Sequence, residues 1–227
     1  MTGPEEQPPG VDRLLILEDH ELLSGTLALA LRQRGLHVEA MNGPSREAVL
    51  ERVAALAPVL VLLDLDLGPA LGNGVELVRP LVEAGARVVI MSGDTSRPRL
   101  GACVEAGASG IVPKASRFDE LVEAVQRSAE GRDLLPEGER QSLLAELRES
   151  RRAGQRRLAP FHSLTPREQA VLARLMAGES AEAIAEHSYV SLATVRSQIR
   201  GILTKLGVNS QLAAVALARD AGWRPPG

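Results

Sequence analysis

The sequence predicts an α/β domain with a doubly wound parallel sheet, followed by a small all-helical domain. Short apolar runs alternate with helix-period segments between residues 13 and 130, which is the pattern of a parallel sheet covered on both faces. From residue 164 onward the apolar periodicity is helical throughout. The charge also divides, because residues 151–227 hold 11 Arg and Lys against 5 Asp and Glu, whereas residues 1–150 hold 15 against 24. An acidic part joined to a basic part indicates two domains, the second of which meets a polyanion.

The first domain is predicted to contain five strands, each followed by a helix. Near-continuous Leu, Val and Ile in the third and fourth strands fit burial on both faces of the sheet. In a right-handed doubly wound sheet, strands one, three and four are neighbours. The predicted strands are 13–18, 36–41, 59–64, 87–92 and 109–112, and the predicted helices are 21–34, 45–56, 74–84, 97–106 and 117–130.

The remaining segments have distinct compositions. Residues 1–12 are acidic and proline-rich, without the basic and apolar regions of a secretory signal, and are expected to be a disordered lead-in. Residues 131–162 are expected to be a linker, with a charged, exposed helix at 139–152 and a basic, mobile stretch after it. Residues 163–227 form the second domain, with helices expected at about 166–177, 181–188, 192–206 and 210–221.

The composition favours a cytoplasmic protein without a membrane anchor. No apolar run approaches the roughly 18 residues needed to span a bilayer. The single cysteine, Cys103, excludes an internal disulfide and a cysteine-rich zinc site, and is expected to serve packing.

Polar residues end the predicted strands of the first domain. Glu18 and Asp19 follow strand one, Asp64 ends strand three, Ser92 ends strand four, and Lys114 follows strand five. In open parallel sheets, function lies beyond the carboxyl ends of the strands. Carboxylates that lie close together repel unless a cation compensates, and Mg²⁺ with oxygen ligands does so. An ionised aspartate beside Mg²⁺ can attack a phosphoryl group, whose oxygens a lysine and a hydroxyl can hold.

Other interpretations of these residues remain open. Glu18 and Asp19 could be favourable charges at a helix N-terminus, and Ser92 could be a turn residue. Asp64 and Asp66 also resemble the aspartate pair of haloacid-dehalogenase-type phosphatases, although that family places its pair on the first strand of its core. A phosphatase using Asp64 and Asp66 is therefore a further hypothesis, whereas the main interpretation is not enzymatic.

Residues 13–130 resemble a response-regulator receiver domain of two-component signalling, with its flavodoxin-like fold. The resemblance implies that Glu18, Asp19 and Asp64 hold Mg²⁺, that Asp64 accepts the phosphoryl group, and that Ser92 and Lys114 bind the phosphate. It also implies a cis peptide between Val112 and Pro113. This sequence departs from the family pattern in a loop about two residues longer after Asp64, in Ile111 where an aromatic switch residue is common, and in Glu18 where Asp is commoner.

The second domain carries the pattern of a helix-turn-helix motif. Thr165, Pro166 and Glu168 form a predicted capping box with proline at the first helical position. Two short helices follow, and the second is apolar on one side and polar and basic on the other. Such a helix fits the major groove of DNA. A generic amphipathic bundle that binds a protein is the alternative.

Residues 164–221 resemble the LuxR/NarL-type helix-turn-helix domain over their whole length. The resemblance implies that the DNA-facing part of the recognition helix carries Ala193, Thr194, Arg196 and Ser197, and that Arg200 and Lys205 contact the DNA backbone. It also implies a homodimer on DNA that forms through the last helix, with Leu212, Val215 and Ala216 as candidate contacts.

The sequence therefore predicts a DNA-binding transcriptional response regulator, phosphorylated on Asp64 by a histidine kinase or a small phosphodonor. The family implies that phosphorylation frees the second domain or favours its dimer, and the 131–162 linker is the expected moving element. The alternative is a phosphorylation-independent DNA-binding regulator, whose receiver is a protein- or ligand-binding module. The longer loop and Ile111 favour that alternative.

Overall fold

The computed structural model describes residues 11–41, 43 and 45–225. It divides into two compact units at Arg148–Glu149, inside the segment predicted as the linker. Residues 1–10 of the predicted lead-in lie outside the described residues. The last two residues of the predicted lead-in, Val11 and Asp12, are hydrogen-bonded to the sheet domain. The Val11 N–H donates to the Ala129 carbonyl at 2.7 Å, and the Asp12 carbonyl accepts from the His37 N–H at 2.8 Å.

The first unit contains a five-stranded parallel sheet in the order β2-β1-β3-β4-β5, which confirms the predicted fold and the prediction that strands one, three and four are neighbours. Strand β3 is buried at every position, as its five apolar residues before Asp64 predict. The strands are β1 (Arg13–Leu17), β2 (His37–Met41), β3 (Val59–Asp64), β4 (Ala86–Ser92) and β5 (Gly110–Pro113).

Alternate residues of each strand enter different cores. Leu15 and Leu17 of β1 pack on one side of the sheet, whereas Leu14 and Ile16 pack on the other. The helices that cover the two faces are α1 (Glu21–Gln33), α2 (Arg46–Leu56), α4 (Val75–Glu83), α5 (Arg97–Glu105) and α6 (Phe118–Ala129). Two separate apolar cores thus fix the sheet, and the carboxyl ends of β1, β3 and β5 meet at one edge.

The loop after β3 carries the extra residues noted in the sequence. It forms a short helix, α3 (Gly68–Leu71), and an isolated bridge between Asp66 and Asn73. Gly74 lies against β3, because a Cβ at that position would meet the Asp64 carbonyl oxygen at 2.4 Å. The extra length is therefore folded into local structure next to Asp64.

The cis peptide expected at Val112–Pro113 is a wrong prediction. Among the described residues, the cis bond lies between Ala57 and Pro58. The chain at Val112–Pro113 instead continues the pairing with β4, where Ser92 is the partner of Pro113. The Ser92 carbonyl accepts a hydrogen bond from the Lys114 N–H at 2.9 Å.

The segment predicted as a linker is more ordered than its composition indicates. Helix α7 runs over Glu137–Leu158, so the stretch predicted to be mobile is helical and passes into a 3₁₀ helix at Ala159–Ser163. Leu143 and Leu147 of α7 are buried, and Leu143 packs with Val104 of α5. The helix is therefore not fully exposed, because two leucines at i, i+4 spacing form an apolar stripe among its charges.

The second unit holds four further helices around one apolar core that includes Phe161, Ile184, Ile199 and Trp223. They are α8 (Pro166–Met176), α9 (Ala181–His187), α10 (Leu192–Leu206) and α11 (Gln211–Asp220), close to the predicted positions. The side chains of Thr165, Ser180, Ser191 and Ser210 accept hydrogen bonds from backbone N–H groups of the first turns, so each helix start is capped.

Within the described residues, no single helix has the length and apolar composition needed to cross a membrane. Helices α10 and α11 meet that criterion only when taken together as a bent pair, by length and composition alone.

Candidate functional site

The acidic residues predicted at the strand ends lie together in the structure. Glu18 and Asp19 directly follow β1, and Asp64 is the last residue of β3, which pairs with β1. Potential ligand atoms of Glu18, Asp19, His20 and Asp64 all lie within 4.8 Å of one another. The parallel pairing of β1 and β3 therefore places three carboxylates at one point of the sheet edge.

Lys114 lies between two of these carboxylates. Its Nζ is 2.7 Å from Asp64 Oδ2 and 2.8 Å from Glu18 Oε2. Burial acts to lower the pKa of Lys114, but its hydrogen bonds to Asp64 and Glu18 outweigh it and raise that pKa. The lysine is thus a fixed positive charge beside the carboxylates.

Glu18 and Asp64 are deeply buried, with exposed fractions of 3% and 1%. Burial raises the pKa of Asp64, and although Lys114 opposes this, the negative charge of Glu18 adds to it. Burial also acts to raise the pKa of Glu18, but hydrogen bonds from Lys114 and His20 hold it below the ordinary value. Of these two buried carboxylates, Asp64 is therefore the one whose charge is less compensated.

His20 joins the cluster from an exposed position. Its Nδ1 lies 2.7 Å from Glu18 Oε1 and 2.8 Å from Asp19 Oδ1. A hydrogen bond to Glu18 raises the pKa of His20, and the charge of Asp19 adds to this effect. His20, which follows the acidic pair in the sequence, therefore contacts both of these carboxylates.

The cluster has the donor set of a site for a hard divalent cation. Three carboxylates supply oxygen ligands, as Mg²⁺ prefers. The buried Oε2 of Glu18 lies 2.8 Å from Lys114 Nζ, which Asp64 shares, and has no other partner within the part of the chain that the structure describes. A buried carboxylate oxygen that shares its ammonium partner with a second carboxylate is a position that a cation would stabilise, so the residues present fit such an ion.

Ser92 and the loop around it complete the edge. Ser92 is buried at the end of β4, and its hydroxyl oxygen accepts a hydrogen bond from the Asp94 N–H at 2.9 Å. Ile111, where the family often has an aromatic residue, is partly buried and packs against the apolar clusters beside β4 and α7. The side chain at position 111 is therefore part of the packing next to β4.

Arg99 was missed in the sequence and connects the loops around the cluster. It bonds Asp94 at 2.8 Å, the Leu65 carbonyl at 2.9 Å and Asp66 at 2.8 Å. The carboxylate of Asp66 is thus paired with an arginine, whereas Asp64 faces Lys114. Cys103, on the same helix as Arg99, is buried, and burial raises the pKa of its thiol to about 11, as a packing residue requires.

The second unit presents a polar face on α10. Val195, Ile199 and Ile202 point into the core. Exposed residues on the opposite side include the four predicted to face DNA, Ala193, Thr194, Arg196 and Ser197, and one predicted backbone contact, Arg200. The structure thus brings these residues to one surface of one helix, next to the capped start of α10 at Ser191.

Two of the predicted basic contacts already have protein partners. Arg196 lies 3.3 Å from Glu182 of α9, in an exposed pair. The Nζ of Lys205 lies 2.6 Å from Oε2 of Glu168, a buried residue of the α8 capping box. The role of Lys205 as a DNA contact stays a prediction, since its ammonium group is bound to a carboxylate.

The candidate dimerisation residues lie on α11. Leu212 is 79% exposed, Ala216 is exposed and Val215 is partly buried. These residues lie on one helix with Leu212 exposed, and their role in a dimer stays a prediction.

Comparison with known proteins places both units in described families. The response regulator receiver domain matches residues 14–126, and the luxR family of bacterial regulatory proteins matches residues 162–218. The chain is 31% identical over 219 residues to the DNA-binding transcriptional activator DevR/DosR of Mycobacterium tuberculosis, covering 95% of this chain and 98% of that protein. It is 32% identical over 219 residues to the probable transcriptional regulatory protein NarL of the same species, covering 96% and 97%.

A crystal structure of the response regulator ChrA, from a heme-sensing two-component system, aligns over 93% of this chain and 98% of that one, at 28% identity and a TM-score of 0.43. The two family matches and the full-length relatives agree with the sheet domain, the helical domain and their order along the chain. This protein belongs to the NarL/LuxR family of two-component response regulators, with a receiver domain followed by a LuxR-type DNA-binding domain.

Proposed function

We propose that this chain controls transcription in the cytoplasm in response to phosphorylation of Asp64 by a histidine kinase or a small phosphodonor. The observation that carries the proposal is the convergence of Glu18, Asp19, Asp64 and Lys114 at one edge of the sheet. A buried aspartate with an incompletely compensated charge, beside a fixed ammonium group, is suited to accept a phosphoryl group.

Each residue of the cluster has a part in the proposed transfer. An oxygen of Asp64 attacks phosphorus, an O–P bond forms, and the bond from phosphorus to the donor breaks. Glu18, Asp19 and Asp64 would hold Mg²⁺, which when bound neutralises charge on the phosphoryl oxygens. Lys114 then exchanges its contact with Asp64 for one with a phosphoryl oxygen, and the hydroxyl of Ser92 is expected to bind a second oxygen.

The helical domain is proposed to bind DNA as a homodimer. The exposed side chains of Thr194, Arg196, Ser197 and Arg200 are suited to phosphates and base edges, and Leu212 with its neighbours on α11 is suited to the dimer contact. The segment 131–162 is proposed to carry the response between the units.

Labelling with radioactive acetyl phosphate tests the proposal. The wild-type chain is expected to take up at most one equivalent, to lose labelling when EDTA removes Mg²⁺, and to lose it in Asp64→Asn. Asp66→Asn is the matched control and is expected to keep the label, because Asp66 pairs with Arg99. Label that persists in Asp64→Asn would contradict the proposal, and sustained release of phosphate that needs Asp66 would favour a phosphatase.

A second candidate is DNA binding that does not depend on phosphorylation, with the receiver as a protein- or ligand-binding module. The folded loop at 65–74 and the packed Ile111 favour it. DNA affinity measured with and without beryllofluoride, a phosphoryl mimic, separates the two. Equal affinities would select the second candidate, and an increase with beryllofluoride would select the first.

A further inference from the structure

Tyr189, in the turn between α9 and α10, has a conformation that packing does not explain. Its side chain is 97% exposed. Its φ is 52°, and it is the one non-glycine residue with a positive φ among residues 11–41, 43 and 45–225. This backbone region is unfavourable for a residue with a bulky side chain.

The position of Tyr189 is one that glycine normally occupies. The Tyr189 N–H donates to the Glu186 carbonyl at 3.2 Å, and the Val190 N–H donates to the Ala185 carbonyl at 3.1 Å. These two bonds form a Schellman motif with Tyr189 as its left-handed residue. The same chain uses glycine at the corresponding point of α8, where Gly178 has a φ of 88°. Stability alone would therefore favour glycine at position 189.

At 97% exposure, the ring gains almost no packing against the described residues that would offset this strain. A local rule that is broken without a gain in stability points to a functional role. The turn itself adjoins the recognition helix, because Val190 lines one groove together with Thr194 and Gln198 of α10. Ser191, two residues after Tyr189, caps α10. Tyr189 thus lies on the approach to the surface that is proposed to meet DNA.

We propose that Tyr189 contacts the DNA backbone beside the groove that α10 enters. Its ring packs on a deoxyribose, and its hydroxyl donates a hydrogen bond to a phosphate oxygen, a contact for which tyrosine is well suited. The inference rests on the DNA-binding role proposed above. Because the contact is to the backbone and the tyrosine is neutral, it adds affinity on any sequence without releasing a counterion.

The test compares full-length variants on two DNA duplexes, one enriched from a random pool by the wild-type chain and one of unrelated sequence. Tyr189→Gly accepts the positive φ and removes the ring, so it is expected to keep or raise the melting temperature while weakening binding to both duplexes roughly 10-fold. Tyr189→Phe removes only the hydroxyl and is expected to weaken binding roughly 3-fold. Tyr189→Asn, which also tolerates this conformation, is a second variant without the ring.

Salt dependence separates this contact from a charged one. Tyr189→Gly is expected to leave the slope of log affinity against log salt unchanged, whereas Arg200→Ala is expected to reduce its magnitude by about 0.9. The inference about Tyr189 alone would be overturned if folded Tyr189→Gly and Tyr189→Asn proteins bind both duplexes as tightly as the wild type. The exposed ring would then serve a contact with another protein. A wild-type chain that enriches no duplex and binds none would overturn the proposed DNA binding as well.

Discussion

The chain contains two lysines, one in each unit, and each binds a buried carboxylate in a different way. In the receiver, Lys114 shares one ammonium group between Asp64 and Glu18, with Asp19 close by. In the helical domain, Lys205 bonds Glu168, whose Oε2 also accepts from the Thr165 N–H at 2.7 Å and its hydroxyl at 2.9 Å. Negative charge is in excess in the first group and balanced in the second.

This difference shows how the same side chains serve chemistry in one place and stability in another. Oε2 of Glu168 accepts three hydrogen bonds and joins the start of α8 to α10, so the pair stabilises the fold. The cluster of Asp64 leaves a buried carboxylate group incompletely compensated, which costs stability unless a cation balances it. A buried carboxylate is thus a candidate for function when its charge remains unbalanced.

The largest expected effect is at the balanced pair. Glu168→Gln removes the charge that Lys205 and the cap bind, and is expected to lower the stability of the helical domain by about 2 kcal/mol. Trp223, the single tryptophan, is buried in that domain and stacks on Phe161, so its fluorescence during urea unfolding reports the loss. Glu182→Gln, which alters an exposed pair with Arg196, is the control and is expected to cost less than about 0.5 kcal/mol.

The same pair predicts a pH dependence. Burial acts to raise the pKa of Glu168, but hydrogen bonds from Lys205 and Thr165 hold it below the ordinary value. A carboxylate with a lowered folded-state pKa contributes stability that is present above its unfolded pKa and is lost as pH falls through the folded one. The Trp223 transition of the wild type is therefore expected to weaken in that acid range, and an equal weakening in Glu168→Gln would contradict the assignment.

The second effect is at the unbalanced cluster, where added Mg²⁺ should supply the missing charge. At ten times its dissociation constant, the ion is expected to stabilise the receiver by about 1.4 kcal/mol. Far-UV circular dichroism reports both units and Trp223 fluorescence reports the helical domain, so the gain is expected in the circular dichroism transition while the Trp223 transition stays unchanged. Glu18→Gln is expected to reduce the gain. An equal gain in stability in both units would show a general effect of salt and would contradict a cation site in the receiver.

Removal of the charge on Asp64 is expected to raise the stability of the receiver, whereas Glu168→Gln lowers that of the helical domain. The effect at Asp64 is expected to be the smaller of the two. Because burial, with a contribution from Glu18, raises the pKa of Asp64, the stability that its protonated form gives is lost as pH rises through that pKa. In EDTA near neutral pH, Asp64→Asn is expected to stabilise the receiver by about 1 kcal/mol. A destabilised Asp64→Asn receiver in urea unfolding would mean that Asp64 is as well balanced as Glu168.

The features that sequence could predict were those that strand order and periodicity determine. Asp64 follows five apolar residues and Lys114 follows the last strand, so parallel pairing alone was enough to bring them together. The capping box of Thr165 and Glu168 followed from its spacing. These features depend on local pattern and on the rules for parallel sheets, both of which are visible in one chain.

The missed features depend on which side chains meet across elements. Lys205 was predicted from the family resemblance to contact the DNA backbone, yet it bonds Glu168, which lies 37 residues earlier in the chain. Arg99 reaches Asp66 and Asp94 from a helix whose periodicity gave no sign of either contact. The first part of α7 was predicted to be an exposed helix, because the contact that buries Leu143 is supplied by α5.

The smallest expected effect is at an exposed charge network. It pairs one arginine with two carboxylates, so its excess of negative charge lies between those of the two lysine groups. Arg97 of α5 bonds Glu139 at 2.9 Å and Glu146 at 2.7 Å, and thereby holds the first half of α7. Because these side chains are about 40% exposed, Arg97→Ala is expected to cost the receiver only about 0.5 kcal/mol.

Hydrogen exchange of residues 137–147 should nevertheless accelerate in Arg97→Ala, since the buried leucines then hold α7 alone. Arg52→Ala, which removes the exposed pair with Glu39, is the matched control and should leave that exchange unchanged. Equal exchange in Arg97→Ala and the wild type would show that Leu143 and Leu147 are enough to fix α7, and that charge balance matters in this protein only where the carboxylates are buried.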